Sequence, residues 1–351
     1  MKSLEFAHFQ ERIMLLTSET EKKRIQEFLG EQDLLFDNDI EYTVALFDKE
    51  KIIATGSFCQ KILKCIAVDQ EYKNMGLSNR IVSHLVSEQY QRGNTHLFLY
   101  TKPENYTLFS ELGFYKISEV ISKVVLMENK PNGIKSYLED ISEHKHEGKD
   151  IASIVMNCNP FTLGHQYLIE YAAARNDQVN IFAVSEDKSS FPAEVRYELI
   201  KEGVKHLPNV VVHKGKDYII SSATFPSYFI KEYQDAVETH ALLDLKIFGE
   251  HITPSLGIHK RYIGEEPYCH VTRTYNQIMK EVLPRYQIQV IEVPRMAVDD
   301  SAVSASIVRA YIRSNDLEKI QDLVPQTTYD FIISKEARNI IRKIQNENSR
   351  H

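Results

Sequence analysis

The sequence predicts two consecutive α/β domains that differ in how strands and helices follow one another. The chain has 351 residues, which is long for one compact domain and sufficient for two domains with their own cores. Residues 42–68 alternate short β-branched or aromatic runs with polar turns, which predicts an antiparallel meander. From residue 151 strands and helices alternate, which predicts a parallel sheet with crossover helices.

The first domain is predicted over residues 1–127. After the meander, "GLSNRIVSHLVSEQYQRG" places Ile81, Leu85 and Val86 on one apolar stripe of a helix. Gly93 then provides a C-terminal signal for that helix. "THLFLYT" is typical of a strand and "ENYTLFSELGF" of a short helix. This mixture predicts an α+β domain.

A polar segment, residues 128–149, separates the two predicted domains. The sequence "ENKPNGIKSYLEDISEHKHEGK" has few periodic apolar residues and many charges, which predicts an interdomain linker. His144 and His146 lie in it beside glutamates. No second cluster of ligands follows at a metal-site spacing, so we expect solvated histidines and no metal.

The second domain is predicted over residues 150–351 as a Rossmann-like parallel sheet. The strands "DIASIVMN", "QVNIFAVS" and "NVVVHKG" alternate with the helices "TLGHQYLIEYAAARN" and "AEVRYELIKEGVKHL". Ligands of open α/β sheets bind at the carboxyl ends of the strands, and the first strand ends near Met156. We therefore expect the functional site in the stretch that follows, "NCNPFTLGH".

Composition and charge exclude several classes of function. A formal net charge of −7 disfavours nucleic-acid binding and favours a small-molecule or protein partner. The four cysteines form no CxxC pair and no zinc-like spacing with histidine, which predicts neither disulfides nor zinc. The N-terminus lacks a signal-peptide pattern, and no segment approaches the ~18 apolar residues of a membrane span. We expect a cytoplasmic protein that binds neither nucleic acid nor membrane.

The turn after the first parallel strand has the residue types of a phosphate site. A helix N-terminus carries unpaired N–H groups and partial positive charge, so an anion binds beside it. Gly164 permits close approach of a phosphate to the backbone, and His165 adds an imidazole donor. Thr162 is suited to capping the helix and to touching a phosphate. Alone, these residues are equally typical of an ordinary capped helix.

The stretch "CNPFTLGH" resembles the signature of the HxGH nucleotidyltransferase superfamily, in the TxGH form of pantetheine-phosphate adenylyltransferases. The resemblance implies that the catalytic residues are Thr162 and His165, which contact ATP phosphates during attack on the α-phosphorus. It also implies that the surrounding loop binds the nucleotide, through Asn159, Pro160, Phe161 and Gly164.

A second stretch, "AVSASIVRAYI" at 302–312, resembles the superfamily's serine-rich turn with an arginine one helical turn later. Ser304 and Ser306 lie at the predicted helix start, so they and Arg309 can face one phosphate, which a guanidinium binds in two places. Alone, this stretch favours a capped helix with a surface arginine, whereas its order after the first motif favours a nucleotide site. Arg196 either reaches ATP from a neighbouring loop or lies exposed on its helix.

In the first domain, "VDQEYKNMGLSNRIVSHL" resembles motif A of the GNAT acetyltransferases, with Lys73, Gly76 and Ser78 at the motif positions. Such a strand, turn and helix presents N–H groups to the pyrophosphate of an acyl-CoA. Ser78 stands where the pattern has Gly or Ala, and Asn74 and Met75 replace compact residues. These departures favour docking of a pantetheine-like arm over acetyl transfer.

Two longer runs add to both resemblances: "ISSATFPSYFIK" at 220–231 and "HITPSLGIHKRYIGEEPYCHVTRTYNQIMKEVLP" at 251–284. Taken together with the motifs above, these runs resemble the citrate (pro-3S)-lyase ligase family, and the resemblance covers nearly the whole chain. The hydroxyls and aromatics of the first run suit a small-acid pocket. In the second, Arg273 is suited to a phosphate or carboxylate, or equally to a surface ion pair.

The resemblance implies an acid–thiol ligase that uses ATP, with its Mg²⁺, and acetate. The enzyme would acetylate the thiol of the phosphoribosyl-dephospho-CoA prosthetic group on the acyl carrier subunit of citrate lyase and so activate the lyase. Acetyl adenylate would be the intermediate, with AMP and diphosphate as products. Two alternatives are an adenylyltransferase acting on phosphopantetheine or a similar phosphorylated molecule, and a non-catalytic protein that docks an acyl carrier.

Overall fold

The computed structural model describes residues 9–186, 188–220, 225, 228–230, 232–266, 269–298 and 301–346. It contains two compact units. Unit 1 is Met1–Ser136 with Pro226–Thr239, and unit 2 is Tyr137–Phe225 with His240–His351. In the described ranges, no helix combines the length and the apolar character that a membrane span requires.

Unit 1 is built on a seven-stranded sheet in the order β1-β2-β3-β4-β5-β7-β6. The strands are β1 (Gln10–Ile13), β2 (Tyr42–Asp48), β3 (Lys51–Cys59), β4 (Ile62–Val68), β5 (Phe98–Thr101), β6 (Tyr115–Val120) and β7 (Val124–Glu128). Only β4 and β5 are parallel, and every other neighbouring pair is antiparallel. The predicted meander is therefore confirmed as β2, β3 and β4.

Helices cover both faces of this sheet, because successive side chains of a strand point to opposite sides. The helices of the first part of the chain are α1 (Glu19–Glu31), α2 (Leu77–Gln91) and α3 (Tyr106–Glu111). Leu46 of β2 packs in one apolar cluster with Ile81 and Leu85 of α2. The next residue, Phe47, packs in another cluster with Phe28 of α1. The predicted apolar stripe of α2 is thus its buried face.

A segment from the middle of the chain completes unit 1. The Tyr228 hydroxyl donates to the carbonyl of Tyr100 at 2.9 Å, and the Tyr228 carbonyl accepts from the N–H of Leu35 at 2.7 Å. Tyr228 is buried in the same cluster as Phe28 and Phe47. The composition of the sequence gives no sign of this return, because it depends on contacts with residues more than 120 positions away.

The predicted linker contains a helix, α4 (Gly133–Ser142). Tyr137 and Ile141 lie one turn apart on it and are both buried. The Tyr137 hydroxyl donates to the carbonyl of Lys214 at 3.2 Å. The segment therefore contains a helix with a buried face where a solvated linker was predicted. The two apolar residues were not recognised in the sequence because charged residues surround them.

Unit 2 contains the predicted parallel sheet, with five strands in the order β10-β9-β8-β11-β12. The strands are β8 (Ile151–Met156), β9 (Gln178–Ala183), β10 (Val210–Lys214), β11 (Lys260–Gly264) and β12 (Gln289–Val293), followed by a short antiparallel pair, β13 (Ala297–Val298) and β14 (Ser301–Ala302). Its helices are α5 (Leu163–Ala173), α6 (Ala193–Gly203), α8 (Thr253–Leu256), α9 (His270–Val282), α10 (Ala305–Ser314), α11 (Gln326–Ile333) and α12 (Arg338–Asn346). A further helix, α7 (Tyr233–Ile247), begins in unit 1 and belongs to unit 2 from His240 onward.

The strand order creates a crevice beside the central strand β8. The chain runs from β8 to β9 and β10 on one side, and then returns to β11 on the other side. Strands β8 and β11 pair only at their beginnings, where Ala152 and Ser153 face Lys260 and Arg261. Their carboxyl ends are therefore free to separate, and ligands of such sheets bind at this switch point.

Arg196 joins the loops that follow β8 and β9. Its side chain is fully buried, and Nε donates to the Phe191 carbonyl at 2.9 Å. Nη1 donates to the carbonyls of Asn157 and Val184 at 2.9 and 2.8 Å, and Nη2 donates to the carbonyl of Glu186. The structure supports neither predicted position for Arg196, because the guanidinium is occupied by backbone carbonyls and is not exposed.

We predict that Arg196→Met destabilises the fold by about 3 kcal/mol or more, because it leaves buried carbonyls without their charged donor. Urea-induced unfolding measures this free energy. The matched control is Lys201→Met on the same helix, where the side chain is 55% exposed, and we expect a change within about 0.5 kcal/mol. Equal stability of the two variants would contradict the structural role of Arg196.

Candidate functional site

A cavity of about 920 Å³ lies in unit 2 at the carboxyl edge of the parallel sheet. Residues from the ends of β8 and β11 line it, together with the first turns of α5 and α10. The cavity therefore occupies the switch point of the sheet. Seven of the residues that the sequence assigned to catalysis or nucleotide binding line it: Asn159, Thr162, Gly164, His165, Ser304, Ser306 and Arg309.

A reciprocal cap fixes the start of α5. Thr162 is the N-cap, and its Oγ1 accepts from the N–H of His165 at 3.4 Å. In return, the Thr162 N–H donates to Nδ1 of His165 at 3.0 Å, and Thr162 Oγ1 lies 2.9 Å from the same nitrogen. Nδ1 is therefore an acceptor, so the proton of the neutral imidazole resides on Nε2.

The electrostatic surroundings of His165 keep its ring neutral. Burial, together with the smaller effect of the positive charge of Arg295, lowers the pKa of His165 to about 4. The ring of Phe161 lies nearly parallel to the imidazole, with 6.0 Å between centroids and 14° between planes. His165 thus presents Nε2–H as a neutral donor whose orientation is fixed by Thr162 and Phe161.

Two residues of the first motif are buried behind the cavity lining. Phe161 is fully buried and Pro160 is buried, and neither lines the cavity. A Cβ on Gly203 would lie 2.4 Å from the Phe161 ring, so this glycine makes room for the ring. The structure therefore corrects the predicted nucleotide contacts of the Phe161 and Pro160 side chains, because both are buried outside the cavity lining and Phe161 packs in the core of unit 2.

Gly164 brings the beginnings of α5 and α10 together. A Cβ at this position would lie 3.2 Å from the Val303 carbonyl oxygen and 3.6 Å from Thr162 Oγ1. The prediction gave Gly164 a direct approach to phosphate. The structure adds a second reason for glycine, which is the close contact between the two motifs.

The second motif forms the start of α10. Ser304 is the N-cap, and its Oγ accepts from the N–H of Ile307 at 3.3 Å and lies 2.9 Å from Oγ of Ser306. Arg309, one turn later, donates from Nη1 to the carbonyl of Asn159. This hydrogen bond joins residues 150 positions apart and holds the two motifs at one end of the cavity.

The first turns of both helices offer N–H groups to an anion. In α5 the N–H groups of Leu163 and His165 are used by Leu323 and Thr162, and no acceptor among the described residues takes that of Gly164. In α10 the described residues likewise provide no acceptor for the N–H groups of Ala305 and Ser306. Two positive helix ends thus meet at one cavity, which is the arrangement that binds phosphates.

Several cavity residues were missed or only partly identified from the sequence. Arg295 follows β12, and its Nη2 donates to Oε2 of Glu266 at 2.8 Å. A strand followed by "PR" at the carboxyl edge of the sheet is the signal that could have indicated it. Arg261 lies within β11. The sequence did not single it out, because another cation, Lys260, stands beside it. Arg273 does not line the cavity, whereas Tyr275 does.

In unit 1 the predicted motif A turn precedes α2. Gly76 is the N-cap residue, with φ of +73°, a conformation that favours glycine. A Cβ there would meet no heavy atom within 4 Å, so the turn is open. Lys73 is exposed and Ser78 is half-buried in the first turn of the helix. The binding of a pantetheine-like arm by these residues stays a prediction.

We predict that His165 remains neutral, with its proton on Nε2, from about pH 6 to about pH 8. The pKa is lowered, so the ring stays neutral as the pH falls through its ordinary value of 6.5 and gains a proton only near pH 4. Nitrogen-15 chemical shifts of labelled histidine measure both properties, with His165→Gln to assign the signal. A pKa near 6.5, or a proton on Nδ1, would contradict the geometry.

Solved structures align with about a third of the chain. ElaA of Escherichia coli covers 35% of this chain at 9% identity with a TM-score of 0.32, and the alignment spans 99% of that structure. An acyl-CoA N-acyltransferase of Pseudomonas aeruginosa also covers 35% of this chain and 99% of its own, at 10% identity and a TM-score of 0.31. Similarity at these TM-scores supports no conclusion about function.

Sequence relatives extend over most of the chain. A protein of Escherichia coli named [citrate [pro-3S]-lyase] ligase is 40% identical over 88% of this chain and 89% of its own length. Proteins of the same name from Haemophilus influenzae and Klebsiella pneumoniae are 39% and 37% identical, over 89% and 92% of this chain and 96% and 95% of their own. The model of the citrate lyase ligase C-terminal domain matches residues 151–332. The chain therefore belongs to the citrate lyase ligase family of enzymes.

Proposed function

We propose that this enzyme uses ATP and acetate to acetylate the thiol of the phosphoribosyl-dephospho-CoA prosthetic group on the acyl carrier subunit of citrate lyase. The single observation that carries the proposal is the meeting of two helix N-termini, a neutral histidine donor and Arg309 at one cavity. Such an arrangement suits a polyphosphate, and the attacking acid would bind in the same cavity. The names of the relatives supply the identity of the acceptor.

In the first step an acetate oxygen attacks the α-phosphorus of ATP, which enters as its Mg²⁺ complex. The bond from the α-phosphorus to the bridging oxygen breaks, and diphosphate leaves with that oxygen and the electron pair of the broken bond. The free N–H groups of Gly164, Ala305 and Ser306 would bind phosphate oxygens. Nε2–H of His165 would donate to the α-phosphoryl oxygen that gains charge in the transition state.

The protonation state of His165 suits this role. A neutral donor binds the developing charge without having to lose its proton, and Thr162 fixes the ring before ATP arrives. The site would contribute mainly by alignment and charge stabilisation, since the reaction needs no covalent bond to the enzyme. Thr162 is then a positioning residue for His165, and its direct contact with phosphate stays a prediction.

In the second step the carrier thiol attacks the acyl carbon of acetyl adenylate. The carbon–sulfur bond forms, the bond from the acyl carbon to the AMP oxygen breaks, and AMP leaves while the thiol proton passes to water. The prosthetic group has the phosphate and pantetheine character of coenzyme A. We propose that the open turn at Gly76, with Lys73 and Ser78, docks this arm.

To test the proposal, the full chain is incubated with MgATP, acetate and the thiol form of the citrate lyase carrier. We expect AMP and diphosphate in equal amounts, and a carrier whose mass increases by one acetyl group. An adenylyltransferase would instead join AMP to its substrate without releasing it. A docking protein would leave ATP unchanged, and either of these results would overturn the proposal.

We predict that Arg309→Lys raises the KM for ATP and lowers the rate of acetyl adenylate formation by roughly tenfold or more. A lysine ammonium supplies a point charge but not the planar fork of a guanidinium. Acetate-dependent exchange of diphosphate into ATP measures both parameters. The control is Arg313→Lys on the same helix, outside the cavity lining, which should behave as wild type. Unchanged kinetics for Arg309→Lys would remove it from the site.

We predict that Gly76→Asp raises the KM for the carrier by roughly tenfold and leaves acetate-dependent exchange unchanged, because a carboxylate at the start of α2 repels a pyrophosphate. The control is Gly93→Asp after the same helix, which has φ of +85° and equally open surroundings. It introduces the same charge and similar backbone strain. Equal effects of the two variants on carrier acetylation would contradict the docking role. The full chain is required, because Tyr228 packs in unit 1.

A further inference from the structure

Arg261 is a buried cation with donor groups that no described residue accepts. It lies on β11 and lines the cavity, and only 2% of its surface is exposed. Its Nε and Nη1 have no hydrogen-bond partner among the described residues. The guanidinium lies 4.5 Å from the centroid of the Phe248 ring, which provides an apolar support. Burying such a donor costs free energy unless it forms a hydrogen bond.

The polar groups around this part of the cavity are occupied with one another. Asp244 Oδ1 accepts from the N–H of Ile220 at 2.8 Å, and its Oδ2 accepts from the hydroxyl of Tyr275. Nε2 of His240 lies 2.8 Å from the carbonyl of Ile220. Asp244 is near enough to favour the charged form of Arg261, yet makes no ion pair with it among the contacts of the described residues. Burial, the larger effect, lowers the pKa of Arg261.

The chemistry of this end of the cavity fits a small monoanion. One guanidinium supplies a single positive charge, and the neighbouring carboxylate of Asp244 disfavours a multiply charged phosphate. Phosphates have their own positions at the starts of α5 and α10. Ile219, Ile220 and Met279 give the cavity apolar lining suited to a short alkyl group. A charged head with a small apolar body is the description of a short-chain carboxylic acid.

We propose that Arg261 binds the carboxylate of the small acid substrate inside this cavity, with Phe248 supporting the guanidinium. The inference rests on the proposed function for the identity of that acid as acetate. Arg261 would hold the acid while one carboxylate oxygen attacks the phosphate bound at α5 and α10. The cost of an uncompensated buried charge in the empty enzyme would be offset when the acid binds.

The kinetic test uses full-chain Arg261→Met and Arg261→Lys, with Arg285→Met as a control at an exposed arginine. Acetate-dependent exchange of diphosphate into ATP gives the KM for each substrate. We expect Arg261→Met to raise the KM for acetate by at least about tenfold and to change the KM for ATP by less than about twofold. Arg261→Lys should lie between wild type and Arg261→Met. Equal KM values for acetate in wild type and Arg261→Met would overturn the assignment.

A stability measurement separates binding from structural support. Because no described residue accepts a hydrogen bond from Nε or Nη1 of Arg261, thermal unfolding without ligands should show Arg261→Met to be as stable as wild type or more stable. A clear loss of stability, or failure of this variant to fold, would mean that the guanidinium supports the core and would contradict the proposal.

Direct binding distinguishes failure of this inference from failure of the proposed function. Saturation-transfer NMR on the acetate methyl group should give a signal with wild type and Arg285→Met and a much weaker one with Arg261→Met. If wild type catalyses no exchange but shows this binding pattern, the proposed function fails and the carboxylate site stands. Absence of the signal with wild type, or an equal signal with Arg261→Met, would overturn the site.

Discussion

The close contact between the beginnings of α5 and α10 is the constraint on which the cavity depends. Gly164 allows the backbone of one helix to lie against the Val303 carbonyl that precedes the other, and Arg309 fastens the contact through the Asn159 carbonyl. Two helix N-termini carry like partial charges and repel each other. An anion between them removes that repulsion, so the same geometry that costs energy in the empty enzyme favours phosphate binding.

Two buried arginines of unit 2 differ in whether protein groups accept hydrogen bonds from their guanidinium groups. The guanidinium of Arg196 donates hydrogen bonds to backbone carbonyls and so fixes the loops at the edge of the sheet. Arg261 is equally buried, yet its Nε and Nη1 lack protein partners among the described residues. Residue type and burial alone do not separate these two roles. The hydrogen-bond partners do, because a satisfied cation is part of the fold and an unsatisfied one is available to a ligand.

The sequence predicted the parallel sheet, the meander and the two helix starts that carry the motifs, because each has a local pattern of residues. Local patterns also indicated that Thr162 would cap the helix that begins at Leu163. The burial of Phe161 and Arg196 could not be predicted, since it depends on Gly203 and on carbonyls of distant loops. The packing of Tyr228 in unit 1 and the position of the buried Arg261 in the cavity lining depend likewise on contacts across the chain.

We propose that an acetate oxygen attacks the α-phosphorus of ATP at the meeting point of α5 and α10. Transfer of oxygen from acetate labelled with oxygen-18 to AMP tests it most directly. If acetyl adenylate forms, cleavage by the carrier thiol leaves one acetate oxygen on AMP, so mass spectrometry should find one heavy oxygen in AMP for each acetylated carrier. Unlabelled AMP formed together with acetylated carrier would contradict the account.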